Sequence, residues 1–261
     1  MDLQDSVVIV TGSSSGVGAA CARQVAERGA HVVINYSSNE AGARETQTAC
    51  QAYGVETVIV QADVSLDADC RRLVGAAEEK WGRLDGLVNN AGTTKFCPHN
   101  DLEGLSKQDF FDIYGVNTVG VFQMTRAAAP LMKRGGMGSI VNVASIAGVM
   151  GVGSSIAYAA SKGALITMGL SLARVLGPEI RVNTVCPGFI QGEWLAKGMG
   201  RENYERSKAH LEQTTPLRLT TTPDTIAESI LFFLASASVV TGETLILDGG
   251  HHLNQTPTVR R

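Results

Sequence analysis

Seven short runs rich in valine and isoleucine show no polar alternation, and they restrict this chain to very few folds. They are Val7 to Val10, His31 to Tyr36, Val55 to Gln61, Gly86 to Asn90, Ser139 to Ala144, Arg181 to Cys186 and Glu243 to Leu247. A strand that is apolar throughout is buried on both faces, which requires a parallel sheet sandwiched between helices. Helical patterns fill the intervals. Val17 to Arg28 stacks Val17, Cys21 and Val25 at four-residue spacing and is closed by Gly29. Glu40 to Tyr53 is closed by Gly54, and further helices are expected near Ala68 to Trp81, Val116 to Lys133, Ala157 to Leu176 and Pro223 to Ala235. No linker or repeat divides them. The expectation is a single α/β domain over residues 1–261, a doubly wound parallel sheet of about seven strands with helices on both faces.

One segment stands outside that pattern. Residues 189–216 form a long insertion after the sixth strand and mix Trp194, Met199 and Tyr204 with many charges. Long loops beyond strand C-terminal ends form lids over ligands; a surface helix pair without function is the plainer alternative.

Composition narrows the partners. A net charge of -3 gives no global attraction for nucleic acid or an anionic membrane, and 44% hydrophobic residues suffice for a large core. The acidic N-terminus lacks signal-peptide order, and no apolar run is expected to approach the ~18 residues of a membrane span. Five scattered cysteines without a CxxC pair suit free buried thiols in the cytosol, and His210, His251 and His252 lack metal-ligand spacing and are expected on the surface or tail. No metal is expected.

Thr11-Gly12-Ser13-Ser14-Ser15-Gly16-Val17-Gly18 joins the first strand to the first helix. Glycines there allow a tight turn and let a pyrophosphate approach the amides of a helix N-terminus. A P-loop would need a Lys after the last glycine, and Ala19 stands there. Gly12-Ser13-Ser14-Ser15-Gly16 also matches a nucleophile elbow, with Asp248 and His251 following in hydrolase order. Yet no earlier strand-helix loop exists to supply an oxyanion hole, and Asp248 and His251 lie only three residues apart.

Tyr158 and Lys162 stand at i and i+4 on one helix face. A phenol titrates near pH ~10; an ammonium ~5 Å away at an effective dielectric of ~20 favours phenolate by ~3 kcal/mol, roughly two pKa units. That would make Tyr158 a usable proton carrier. An exposed Tyr/Lys pair on an amphipathic helix is the bland alternative.

With that pair, the chain resembles the short-chain dehydrogenase/reductase family from Val7 to about Gly250, in its oxoacyl reductase-like or glucose dehydrogenase-like branch. The resemblance rests on an ordered set: Thr11-Gly12-x3-Gly16-x-Gly18, Asp63-Val64, Asn89-Asn90-Ala91-Gly92, Asn117, Ser145, Tyr158-x3-Lys162 and Pro187-Gly188. It implies a Rossmann-type fold and hydride transfer between a nicotinamide and a carbonyl or secondary alcohol. Tyr158 would pass the proton, and Ser145 would hold the substrate oxygen. Lys162 would lower the pKa of Tyr158 and hold the nicotinamide ribose. Asn117 would shape its helix and retain a water. The turn residues Gly12, Ser14, Ser15, Gly16, Val17 and Gly18, then Asp63, Val64, Asn90, Ala91, Gly92, Pro187, Gly188 and Ile190, would complete the cofactor site. Ser154 and Ser155 are expected only to line the pocket.

NAD-specific folds place an acid at the end of the second strand to bind the ribose; here Tyr36 stands there, followed by Ser37 and Ser38. No carboxylate repels a 2′-phosphate, which favours NADP(H), with NAD(H) as the alternative. Relatives usually carry a Thr where this chain has Gly192, which bears on cofactor affinity and lid ordering. The lid suits a moderately apolar ketone or alcohol. By resemblance a homotetramer is expected, packed through the Val116 and Ala157 helices and the last strand, with the tail Asn254 to Arg261 fraying or reaching a neighbour. A catalytically silent dinucleotide-binding sensor or scaffold is the competing function.

Overall fold

The computed structural model describes residues 2–254, so the end of the expected tail, residues 255–261, lies outside the described residues. Seven strands, β1 (Val7–Val10), β2 (His31–Tyr36), β3 (Thr57–Gln61), β4 (Gly86–Asn89), β5 (Gly138–Val143), β6 (Ile180–Pro187) and β7 (Thr244–Leu247), form one sheet in the order β3-β2-β1-β4-β5-β6-β7. Every pairing is parallel, as the absence of alternation predicts.

Successive residues of β1 serve opposite faces. Val8 and Val10 pack with Val25 of α1 (Gly16–Glu27), Cys50 of α2 (Glu40–Gln51) and Ile226 of α10 (Pro223–Leu231). Val7 and Ile9 pack with Leu73 of α3 (Asp67–Trp81), Met124 of α5 (Val121–Arg134) and Leu172 of α7 (Ile156–Leu176). A period of two within the strand thus supplies two cores, one under each helical layer.

Two stretches depart from expectation. The helix expected to begin at Val116 begins instead with α4 (Lys107–Tyr114) and runs through a π-helical segment, Gly115–Gly120, into α5. The cause is a capping box: the Ser106 hydroxyl accepts from the Asp109 amide, while the Asp109 carboxylate accepts from the Ser106 amide at 2.7 Å. The other is α7, 21 residues with mean hydropathy 1.3, which is long and apolar enough to meet the length and composition of a membrane span and corrects the expectation that no run comes near it. In the fold it packs against β6, α4 and the short α6 (Ala147–Met150). Leu165 and Leu172 are buried by these contacts, while Leu170 and Val175 remain exposed.

Candidate active site

β1 continues to β2 on one side and β4 to β5 on the other, so the C-terminal ends of β1 and β4 bound a crevice at the point where the winding reverses. A cavity of about 2160 Å³ starts there and runs to the 189–216 segment. Single small-molecule pockets reach about 1,000 Å³, so this one has room for a long ligand and a second one beside it.

The dinucleotide end is made of main chain. Gly12 turns with φ +63°, and a Cβ on it would come within 3.0 Å of Ala91 Cα. Asn35, buried beneath the turn, accepts from the Gly12 amide at 2.9 Å and donates to the Ala62 carbonyl at 3.0 Å, tying the turn to the ends of β2 and β3. No side chain caps the N-terminus of α1, which leaves it suited to an anion. Gly12, Ser14, Ser15, Gly16, Val17, Ser37, Asp63, Val64, Asn90, Ala91, Gly92, Pro187, Gly188 and Ile190 all line the cavity. These features fit a nicotinamide dinucleotide.

Three expected cofactor residues lie off the cavity wall. Gly18 is a packing glycine: a Cβ there would overlap the Gly12 carbonyl oxygen and sit 2.6 Å from Asn90 Nδ2. Tyr36 is 8% exposed and belongs to the core beneath α2. Ser38 is exposed outside the cavity. Asn35 and Asn39 line it instead. The alternation of β2 directs residue 35, rather than 36, toward the crevice, a one-residue shift that the length of the strand does not fix.

The catalytic end gathers Ser145, Tyr158 and Lys162. Ser155 caps α7 by accepting from the Tyr158 amide at 3.2 Å, so it holds the helix start and does not line the pocket as expected; Ser154 does line it. Gly148 of α6 touches α7 so closely that a Cβ would lie 2.5 Å from the Gly163 amide nitrogen, and this contact brings Ser145 alongside Tyr158. The Ser145 hydroxyl accepts from the Ala147 amide at 3.1 Å, so the serine also serves its local turn. Asn117 is fully buried in the π-helical segment. Its Oδ1 accepts from the Thr93 amide at 2.8 Å, and its Nδ2 donates to the Thr93 carbonyl and to Ser161 Oγ, each at 3.0 Å. It therefore clamps the loop that follows Gly92 and does not reach the cavity.

The electrostatics reverse one expectation. Lys162 is 3% exposed, and its Nζ donates to the Val143 carbonyl at 2.8 Å and stands 5.7 Å from the centroid of the Tyr158 ring. Burial lowers its pKa to about 8. Burial pushes the Tyr158 phenol up to about 12, opposed by its hydrogen bond with Ser145. Desolvation, which favours the neutral form of each group, is the largest influence on both.

The 189–216 segment folds as α8 (Glu193–Met199) and α9 (Arg201–Thr214). It is a helix pair, and it covers the cavity: Trp194, Met199 and Leu211 line it. Tyr204 does not; it is buried against Phe189, ring centroids 5.2 Å apart, and its hydroxyl accepts from the Gly192 amide at 3.2 Å. Phe96, after β4, lines the cavity without any sequence signal to announce it. His210, exposed as expected, and His251, half-buried in the C-terminal segment, also line the cavity. Asp248 pairs with His252, not His251, at 3.0 Å, and accepts from the Gly250 and His252 amides, so it holds the C-terminal turn and leaves no hydrolase triad.

Residues 12–252 match the family described as Enoyl-(Acyl carrier protein) reductase. The chain is 43% identical over 247 residues to the protein assigned as ketoacyl reductase 2 of granaticin polyketide synthase from Streptomyces violaceoruber, covering 95% of this chain and 96% of that one. Among solved structures, one described as a short-chain dehydrogenase/reductase from Burkholderia xenovorans is 40% identical with a TM-score of 0.89, covering 95% of this chain and 98% of that one. NAD⁺-bound xylitol dehydrogenase is 27% identical with a TM-score of 0.87, covering 96% and 100%. The chain belongs to the short-chain dehydrogenase/reductase family. It is an oxidoreductase that uses a nicotinamide cofactor to move a hydride to or from a small molecule.

Proposed function

We propose that the protein is an NADP(H)-dependent carbonyl reductase in which Tyr158 supplies the proton. What supports this reading is the enclosure of Tyr158, Ser145 and Lys162 at one end of a cavity whose other end is the glycine turn. A bound nicotinamide supplies the hydride. The Tyr158 and Ser145 hydroxyls hold the substrate oxygen from one side and stabilise the negative charge that builds on it. Tyr158 then gives that oxygen its proton. Burial keeps the phenol protonated at neutral pH, so it can donate to a carbonyl oxygen. Lys162, fixed on the Val143 carbonyl, places its charge where a Cβ on Gly92 would lie 3.6 Å from Nζ, beside the expected ribose position. Asn117 keeps the Gly92–Thr93 backbone in place and is a positioning residue.

NADP(H) is preferred on the charge pattern of the β2 end. Ser37 and Asn39 line the cavity there, and residues 35–39 include no carboxylate; Asp63 lines the cavity from just past the end of the neighbouring β3. Steady-state rates with each cofactor check this, and a strong NAD(H) preference overturns it. Association into a homotetramer fits the exposed Val119 and Phe122 of the α4–α5 rod, Leu170 and Val175 of α7, and the open outer edge of β7. Sedimentation gives the subunit count. Five buried, unpaired thiols suit the cytosol.

Replacement of Tyr158 by Phe tests the catalytic claim. Turnover should fall by about 10²–10⁴-fold while nicotinamide binding stays nearly intact. Unchanged turnover removes Tyr158 from the mechanism.

A further inference from the structure

We infer that the substrate is a ketone fused to or carrying a flat, unsaturated ring, recognised by Trp194 and Phe96; this rests on the reductase reading above.

Trp194 is 52% exposed, yet it lines the cavity. Its ring centroid lies 6.4 Å from that of Tyr158 and 5.7 Å from that of Phe96, with interplanar angles of 47° and 56°. The three rings form a tilted corner beside the phenol that meets the reacting oxygen. Aromatic rings gain most in tilted or offset pairs, where the edge of one meets the face of another. An additional flat ring can complete such a corner; a puckered saturated ring of the same carbon count is thicker and has no electron-rich face. The corner is fixed in position by Gly198, one turn along α8 from Trp194. A Cβ on Gly198 would overlap the Phe96 ring, with Cδ2 at 2.6 Å, so the helix has been left bare to admit that ring.

Three polar groups lining the cavity point the same way. Ser154 Oγ is hydrogen-bonded to Thr94 Oγ1 at 2.7 Å, Gln191 donates to Thr220 Oγ1 at 3.0 Å, and Cys97 Sγ donates to the Asp101 carbonyl at 3.4 Å. These side chains are engaged with the protein itself. A sugar or other polyol would find these three groups already paired, which is unfavourable. His99, which lines the same cavity, has a buried Nε2 without a partner and could serve one polar atom of a ligand. Val152 and Phe111 continue the apolar lining toward the rim.

The test compares 2-tetralone with 2-decalone. They share a carbon count and ring plan, and in neither is the carbonyl conjugated with the second ring. With the full chain and NADPH, kcat/KM for 2-tetralone should exceed that for 2-decalone by about tenfold. The ratio should drop to near unity in Trp194→Leu and survive in Trp194→Phe, which keeps a ring. Equal rates in the wild type, or a ratio unmoved by Trp194→Leu, overturn the inference while leaving the reductase reading intact. Failure to reduce any carbonyl with either nicotinamide defeats that reading instead. Calorimetric binding of the two ketones then decides the ring preference without turnover, equal affinities counting against it.

Discussion

The two ends of the cavity are made of different material. At the cofactor end the wall is backbone: the Gly12 turn, the Asn90–Gly92 segment and the start of α1 approach each other because side chains are missing. At the substrate end the wall is side chain: Phe96 projects from a loop, and Trp194, Met199 and Leu211 from two consecutive helices far from it in sequence. A backbone wall tolerates almost no change in spacing. A side-chain wall can be repopulated without disturbing the sheet, so one scaffold can serve many substrates.

Two glycines offer the strongest way to break this comparison. Gly18→Ala sets a methyl group against the Gly12 carbonyl and Asn90, neither of which is a free side-chain end. Stability should fall by about 1–3 kcal/mol or more, and nicotinamide affinity by at least about tenfold through displacement of the turn. Gly198→Ala sets the same methyl against the Phe96 ring, which can swing. Stability should fall by about 1 kcal/mol, ketone kcat/KM by about tenfold, and nicotinamide affinity by less than about twofold. Denaturant melts and cofactor titrations of the two variants read both quantities. Similar losses of cofactor binding in both would mean that the ends are not separable.

Alkaline pH probes the same division more gently. Burial raises Cys50 and Cys70 to about 12 and Cys186 to about 11, and raises Cys21 further. The unfolded thiols titrate near 8.5, so the folded state retains protons that the unfolded state loses, and stability falls as pH rises above about 9. Lys162, lowered to about 8, has the opposite sign: its buried charge is a cost below pH 8 that is relieved as pH rises toward the unfolded value near 10.4. Four thiols outweigh one amine. Thermal melts in reducing buffer should lose about 1 kcal/mol or more per pH unit between pH 9 and 10, and Lys162→Met should bring the onset of that loss to lower pH. A flat profile would mean that the thiols are solvated in the folded state.

What the residues disclosed follows the same line. The sheet, its parallel sense and the glycine turn were all legible, because burial on both faces and close backbone approach each demand particular residue types in order. Ser145, Tyr158 and Lys162 came from an ordered motif set, and the structure brings them together. The direction of the Tyr158 shift was not legible, since it depends on how much solvent the fold removes around the phenol and not on the i, i+4 spacing. Nor was Asn35: both it and Tyr36 suit the end of a strand, and only the pleat decides which one faces the crevice. Phe96 and the Asp248–His252 pair were hidden too. Phe96 depends on tertiary placement and leaves no periodic trace. The Asp248–His252 pair is a local i, i+4 contact in which only the turn geometry decides whether residue 251 or 252 meets the carboxylate. The capping box at Ser106 was readable in principle from Ser106 and Asp109, whose spacing is local.

The smallest expected effect is also the finest test of where the cofactor end stops. Ser37 and Ser38 are neighbours in sequence, but only Ser37 lines the cavity. If a 2′-phosphate sits at the end of β2, the Ser37 hydroxyl can donate to it, whereas the Ser38 side chain lies outside the wall. Ser37→Ala should raise KM for NADPH about three- to tenfold, the effect of one hydrogen bond, with little change for NADH. Ser38→Ala should leave both within about twofold, as surface substitutions generally do. Asn39 does not compensate for Ser37, because its Nδ2 is held by the Ser14 carbonyl at 3.3 Å and its Oδ1 caps α2 through the Gly42 amide at 3.2 Å. A larger effect at Ser38 than at Ser37 would place the phosphate outside the crevice, on the solvent side of α2, and move the boundary of the backbone-built end by one residue.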